Sequence, residues 1–83
     1  MEYTFKPNAV RDLKKLPKLI QIRIIKKLDF FIRSEDPFFF AESLNNSAFG
    51  EFRFRIGDHR VVFDVERKCI IILAIGHRRD IYK

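Results

Sequence analysis

The chain has 83 residues, enough for one domain spanning 1–83 with a modest core. Nearly half the residues are hydrophobic, ten of them Phe, with only three Gly and three Pro, which excludes a disordered or low-complexity chain. The formal charge of +6 is spread evenly, +3 in residues 1–42 and +3 in residues 43–83, so a compact basic body rather than a basic tail faces the partner, as suits RNA, DNA or an acidic protein.

"MEYTF" alternates, with Met1, Tyr3 and Phe5 on one side and Glu2 and Thr4 on the other, and predicts a short first strand. Pro7 suits the first position of a helix, and Ala9, Leu13 and Leu16 follow at helical spacing. Pro17 separates this helix from a longer one over 18–33. There Ile20, Ile24, Leu28 and Phe31 form one stripe, flanked by Ile25 and Ile32, with Lys18, Arg23, Lys26, Lys27 and Arg33 left for solvent. That stripe is core material, so the basic helix is not read as membrane-bound. "SEDP" ends it, because a residue before proline is pushed out of the helical region. Residues 37–49 carry the least signal. One of Phe38, Phe39 and Phe40 is expected to cap the core while another stays half exposed, and "NNSAFG" reads as a loop.

From Gly50 the hydrophobic period becomes two. "EFRFRI" and "HRVVFDVE" flank Gly57-Asp58, a Gly-X pair that matches a type II′ hairpin. "CIIILAIG" follows as an apolar strand of the kind buried on both faces, ended by Gly76. Cys69, the one cysteine, is expected to be a buried thiol. It rules out an intramolecular disulfide and fits a reducing compartment. No signal-peptide pattern opens the chain and no apolar run reaches the ~18 residues of a membrane-spanning helix, so a cytoplasmic location is expected. The predicted fold is α+β: a small antiparallel sheet, one N-terminal strand plus three C-terminal strands, packed on two N-terminal helices in the order β-α-α-β-β-β.

A two-residue loop at Gly57-Asp58 pairs Ile56 with His59, Arg55 with Arg60, Phe54 with Val61, Arg53 with Val62 and Phe52 with Phe63. Side chains alternate faces, so Phe52, Phe54, Val61 and Phe63 pack on the helices while Arg53, Arg55 and Arg60 project from the other side. Like charges directly opposite each other destabilise a strand pair by up to ~1 kcal/mol, and an anion bound between them removes that penalty. "IGHRRDIYK" adds His77, Arg78, Arg79 and Tyr82 at the rim of the sheet. Tyr82 either curls back over the open face to join the arginines or anchors a frayed terminus on the core.

Metal-free RNA cleavage needs a base for the 2′-hydroxyl, stabilisation of charge on the phosphate and a proton for the departing 5′-oxygen. Arginines serve the second task, since the guanidinium fork matches phosphate oxygens and stays charged. Candidates for proton transfer are Tyr82, Glu51, and in reserve His59 and His77. There is no cysteine–histidine cluster for zinc, no glycine-rich phosphate loop and no nucleophile elbow, so no metal and no small-molecule cofactor is expected.

The stretches "YTFKPNAVRDLKKLPK", "FGEFRFRIGDHRVVFDV" and "IGHRRDIY" resemble the RelE/ParE toxin superfamily of type II toxin–antitoxin systems, most closely its RelE-like branch. The resemblance implies an antiparallel sheet with two N-terminal helices and a toxin that enters the ribosomal A site. There it would act as an endoribonuclease on mRNA, by 2′-hydroxyl attack, and so inhibit translation. It also implies a cognate antitoxin, acidic and partly disordered, lying across apolar grooves or beside the arginines. By motif, the catalytic positions are Arg60, the phosphate-stabilising arginine, Arg78, a clamp or proton donor, and Tyr82, a base or orienting stack. Arg53, Arg55, His77 and Arg79 fall in the substrate-binding set. Relatives commonly carry lysines where this chain has Arg53 and Arg55, which removes a tunable proton-transfer group. The alternatives are a ParE-like inhibitor of DNA gyrase acting by protein binding, and a non-catalytic member of the superfamily.

Overall fold

The computed structural model describes residues 1–45 and 48–82. Its elements are β1 (Glu2–Phe5), α1 (Pro7–Lys14), α2 (Lys18–Arg33), a 3-10 turn (Pro37–Phe40), β2 (Ala41–Ser43), β3 (Phe52–Ile56), β4 (His59–Glu66) and β5 (Cys69–His77). The fold is α+β as expected, but the sheet has five strands, in the order β1-β5-β4-β3-β2.

Two features of that sheet correct the sequence reading. It is mixed rather than antiparallel: β2 to β5 form a meander, while β1 pairs with β5 in parallel, Glu2 opposite Cys69 through Phe5 opposite Ile72. Parallel neighbours require a long connection, and here both helices and strands β2 to β4 lie between the two in sequence. The extra strand, β2, supplies only three pairs, Ala41 with Phe54, Glu42 with Arg53 and Ser43 with Phe52.

The helices form where the sequence places them. Pro7 opens α1, where its missing N–H is no loss, and Arg11 and Lys14 sit in the last turn, where cations suit the helix dipole. Asp12 on α1 accepts the Ile75 N–H of β5 at 2.9 Å, satisfying the strand beyond the point where β1 ends. Helix α2 stops at Ser34, whose backbone turns extended and whose hydroxyl donates to the Phe31 carbonyl at 2.6 Å. Among the described residues, no helix is long and apolar enough to cross a membrane.

Ile24, Leu28 and Phe31 of α2, with Ala9 of α1, bury against Phe54, Ile56, Val61, Phe63, Ile70, Ile72 and Ile75. A fully buried side chain of this size contributes about 1.5–3 kcal/mol. Phe54 stacks on Phe63 at 4.4 Å and meets Phe31 at 4.6 Å, tying hairpin to helix. Of the three phenylalanines after α2, Phe40 stacks on Phe31 while Phe39 points to solvent, so one caps the core as expected. The apolar β5 is fully covered on one face only; Ile71, Leu73 and Ala74 on the other are half-buried, as is Cys69. A bulge between Val62 and Phe63 leaves Leu73 without an opposite residue.

The β3–β4 hairpin has the predicted register at all five pairs. Gly57 takes φ 60°, and Asp58 does not share a positive φ, the pattern of a type II′ turn. The helices therefore cover one sheet face, and the arginines of this hairpin belong to the other.

Candidate functional site: an arginine cluster on the open sheet face

Arg53 and Arg55 lie two residues apart on β3 and so share a face. The Arg53 Nε lies 3.4 Å from Glu42 Oε1 on the neighbouring β2, and the Arg55 Nε lies 3.6 Å from the same oxygen. Arg53 also donates from Nη1 to the Tyr82 hydroxyl at 3.1 Å, with its guanidinium carbon 5.9 Å from the ring centre. That hydrogen bond, and secondarily the Glu42 carboxylate, raise the Arg53 pKa against the opposing effect of burial.

Arg60 corrects the expectation that all three arginines project. It is only 6% exposed, and Nη1 curls back to donate to the carbonyls of Gly57 at 3.0 Å and His59 at 2.9 Å. Burial, then the charges of Arg55, Arg53 and Arg78, lower its pKa below the usual arginine value. The group remains a cation, because a guanidinium starts above ~12. A charge held this way, among like charges and hydrogen-bonded to two carbonyls, is electrostatically receptive to an anion.

Arg78 is anchored by its backbone, which donates to the Asp58 carbonyl at 2.8 Å, and its Nε stands 3.9 Å from the Asp58 carboxylate. Tyr82 does curl back over the open face. The turn after β5 seats Ile81 on Gly76, where an added Cβ would meet Ile81 Cδ1 at 3.2 Å, and this brings the Tyr82 ring 5.3 Å from the Phe49 ring. Four guanidiniums thus converge with two carboxylates, a net positive site with a phenol at its edge.

His77 and Arg79 are not part of that convergence. Gly76 does not end β5, as the sequence reading had it; the strand runs on to His77, which pairs with His59. His59 is opposite Ile56, so the two imidazoles, 5.6 Å apart and edge to face, belong to the helix side. Burial lowers the His59 pKa, and His77, Arg23 and Arg60 add to that, opposed by Asp58. The Arg79 side chain is exposed, while its N–H donates to His77 Nδ1 at 3.2 Å. Glu51 is occupied elsewhere, accepting the Val65 N–H at 3.2 Å.

The sequence reading missed Glu42. Residues 37–49 carry the least sequence signal, and a three-residue strand is too short to show a period of two. The usable signal was one acidic residue, in "PFFFAES", within reach of a strand carrying two arginines. Among the described residues no group of three or more His, Cys, Asp or Glu could hold a metal ion. A separate groove of about 460 Å³ runs along the outer face of α2, lined by Leu19, Ile22 and Phe30 with Arg23, Lys26 and Lys27.

This chain is similar along nearly its whole length to known toxins. Residues 3–82 match the family model described as ParE toxin of type II toxin-antitoxin system, parDE. Toxin RelG of Mycobacterium tuberculosis is 34% identical over 87 residues, covering 100% of this chain and 99% of that protein. Two solved structures share the fold. A chain of the toxin–antitoxin complex RelBE2 from Mycobacterium tuberculosis gives a TM-score of 0.76 at 28% identity, over 93% of this chain and 96% of that one. A chain of the archaeal RelE–RelB complex from Pyrococcus horikoshii gives 0.72 at 26% identity, over 95% and 96%. The hairpin and C-terminal motifs, the fold and these matches agree: the chain belongs to the ParE toxin family of type II toxin–antitoxin systems, within the RelE/ParE superfamily.

Proposed function

We propose that this toxin is a ribosome-dependent mRNA endonuclease, cutting in the A site by attack of a 2′-hydroxyl and neutralised by a cognate antitoxin. The observation that carries this reading is the gathering of Arg53, Arg55, Arg60 and Arg78 with Tyr82 on the sheet face the helices leave open. Charge accumulating on a phosphate in flight is what such a cluster stabilises.

The remaining tasks fall to groups beside the arginines. Glu42 is the carboxylate within reach of Arg53 and Arg55, and it accepts the 2′-hydroxyl proton. The 2′-oxygen then bonds to phosphorus, the bond from phosphorus to the 5′-oxygen breaks, and a cyclic phosphate and a 5′-hydroxyl result. Because the Tyr82 oxygen accepts from Arg53, its own proton is free to be given to the departing oxygen. Arg60 and Arg55 hold the phosphate, and Arg78 clamps from the turn. With arginines at 53 and 55, no lysine there moves protons, so Glu42 and Tyr82 carry both transfers.

Both solved relatives described above are complexes with an antitoxin. The α2 groove, apolar with a basic rim, suits an acidic amphipathic helix of such a partner. Primer extension on translated mRNA tests the catalytic reading: wild type produces A-site cuts, and Arg60→Ala and Tyr82→Phe lose them. Unchanged cutting in both variants defeats the assignment.

The name of the matching family favours one second reading, a ParE-like toxin that inhibits DNA gyrase by binding it. A supercoiling assay separates the two. Inhibition of gyrase that persists in Arg60→Ala, without mRNA cuts, selects that reading.

A further inference from the structure

We infer that the Glu42 carboxylate is an internal stand-in for a substrate phosphate, held by Arg53 and Arg55 in the free protein and displaced when nucleotide backbone arrives. This rests on the proposed RNA-binding role of the open face. A single oxygen, Glu42 Oε1, stands 3.4 Å from one guanidinium nitrogen and 3.6 Å from another. The two arginines are on one face, two residues apart, so that point is where one phosphate oxygen would bridge them. Glu42 is also close enough to Arg60 to act on its charge. An incoming phosphate therefore meets an anion already seated at the centre of the cluster.

The seat is built to be vacated. Glu42 sits on β2, the three-residue strand at the edge of the sheet, where pairing is cheap to loosen. Its side chain is 42% exposed and that of Arg55 60%, so the pairs are solvated and individually weak. A phosphate presents more charge and more acceptor oxygens than the carboxylate it replaces. RNA binding is then an exchange of anions rather than an addition.

Two consequences follow. The free protein holds RNA less tightly than four arginines would, which favours ligands whose chain of phosphates can complete the exchange. Displacement also couples binding to chemistry. While Arg53 and Arg55 hold Glu42, its Oε1 is engaged by both guanidiniums; once phosphate takes the arginines, that oxygen is free to receive the 2′-hydroxyl proton.

The test is the affinity of a short single-stranded RNA, 2′-O-methylated to block cleavage, measured by fluorescence anisotropy over a salt series. Glu42→Gln is expected to tighten binding roughly three- to tenfold at about 50 mM salt, and to steepen the log–log salt slope by roughly 0.7. Arg55→Ala should weaken binding more in the Glu42→Gln background than in wild type, since part of Arg55 is otherwise spent on Glu42. Equal or weaker binding by Glu42→Gln, with an unchanged circular dichroism spectrum, overturns the inference. Should that variant misfold, the wild-type carboxyl ¹³C signal of Glu42 decides. It moves on adding the methylated RNA if the exchange occurs, and stays fixed if it does not. Tighter binding by Glu42→Gln, with no ribosomal cuts by the wild-type protein, would leave the exchange standing and remove the nuclease assignment, whereas wild-type cuts without tighter binding by the variant would do the reverse.

Discussion

The two faces of the β3–β4 hairpin are built from alternate residues of the same fifteen-residue stretch, yet they obey different physics. Phe52, Phe54, Ile56, Val61 and Phe63 serve the core, where stability scales with apolar area removed from water. Arg53 and Arg55 add nothing to that core, and with Arg60, which is buried against the turn carbonyls, they crowd like charges together. The face that repels itself is the one oriented for an anion. One backbone register thus divides stability from ligand binding, with a period of two as the only partition.

Substitutions on the two faces should therefore fail differently. The largest effect belongs to the covered face. Phe54→Ala, at a site with no solvent exposure, is expected to cost about 3–5 kcal/mol in urea unfolding. For a domain this small, that removes much of the net stability. On the open face, Arg60→Ala gives up two hydrogen bonds to turn carbonyls but also the repulsion from neighbouring arginines, so it should cost no more than about 1–2 kcal/mol while reducing mRNA cutting about 10²-fold or more, read by primer extension. Loss of folding in that variant would erase the distinction between the faces.

A smaller effect tests how the edge strand is tied down. Tyr3 on β1 donates to Asp29 on α2 at 2.8 Å, and burial, then that bond and the Asp29 charge, push its pKa up to about 12. Tyr3→Phe should cost about 1 kcal/mol near neutrality. Because the folded value lies above the unfolded one, wild type keeps this contribution below pH 10 and loses it as pH rises towards 12. Alkaline melts of wild type and Tyr3→Phe should converge.

The histidine pair sharpens the contrast from the acid side. His59 is lowered, so the unfolded chain takes up its proton more readily than the folded one. Stability is present above about pH 6.5 and falls as pH drops through the lower folded value. Melting temperature should decline between pH 7.5 and 5.5, less steeply in His59→Gln. The smallest effect is at Arg67, which takes φ 56° in the β4–β5 turn. Arg67→Gly should stabilise by about 0.5–1 kcal/mol, because glycine adopts that conformation without steric cost.

The legible parts of this molecule are those with a long enough period or a strong enough punctuation. Helix α2 showed its stripe, and Pro7 and Pro17 showed where helices start. The Gly57-Asp58 turn placed five residue pairs in register and with them the arginine face. What stayed hidden has a common cause: contacts made across the fold by segments too short to carry a pattern. Strand β2 has three residues, so neither it nor Glu42 stood out. The parallel partnership of β1 with β5 joins the two ends of the chain, where no local signal connects them. The inward turn of Arg60 depends on the carbonyls of Gly57 and His59, which only the folded hairpin presents. The pairing of His77 with His59 was hidden because Gly76 reads as a strand end, whereas it continues the strand with Ile81 packed against it.

The central claim, that the open sheet face grips nucleotide backbone, is tested most directly by mapping amide NMR shifts on adding the 2′-O-methylated RNA. Shifts concentrated at residues 53–60 and 76–82, and abolished by about 1 M salt, are the predicted result. Shifts confined to the outer groove of α2, with the arginine strands unmoved, would contradict it.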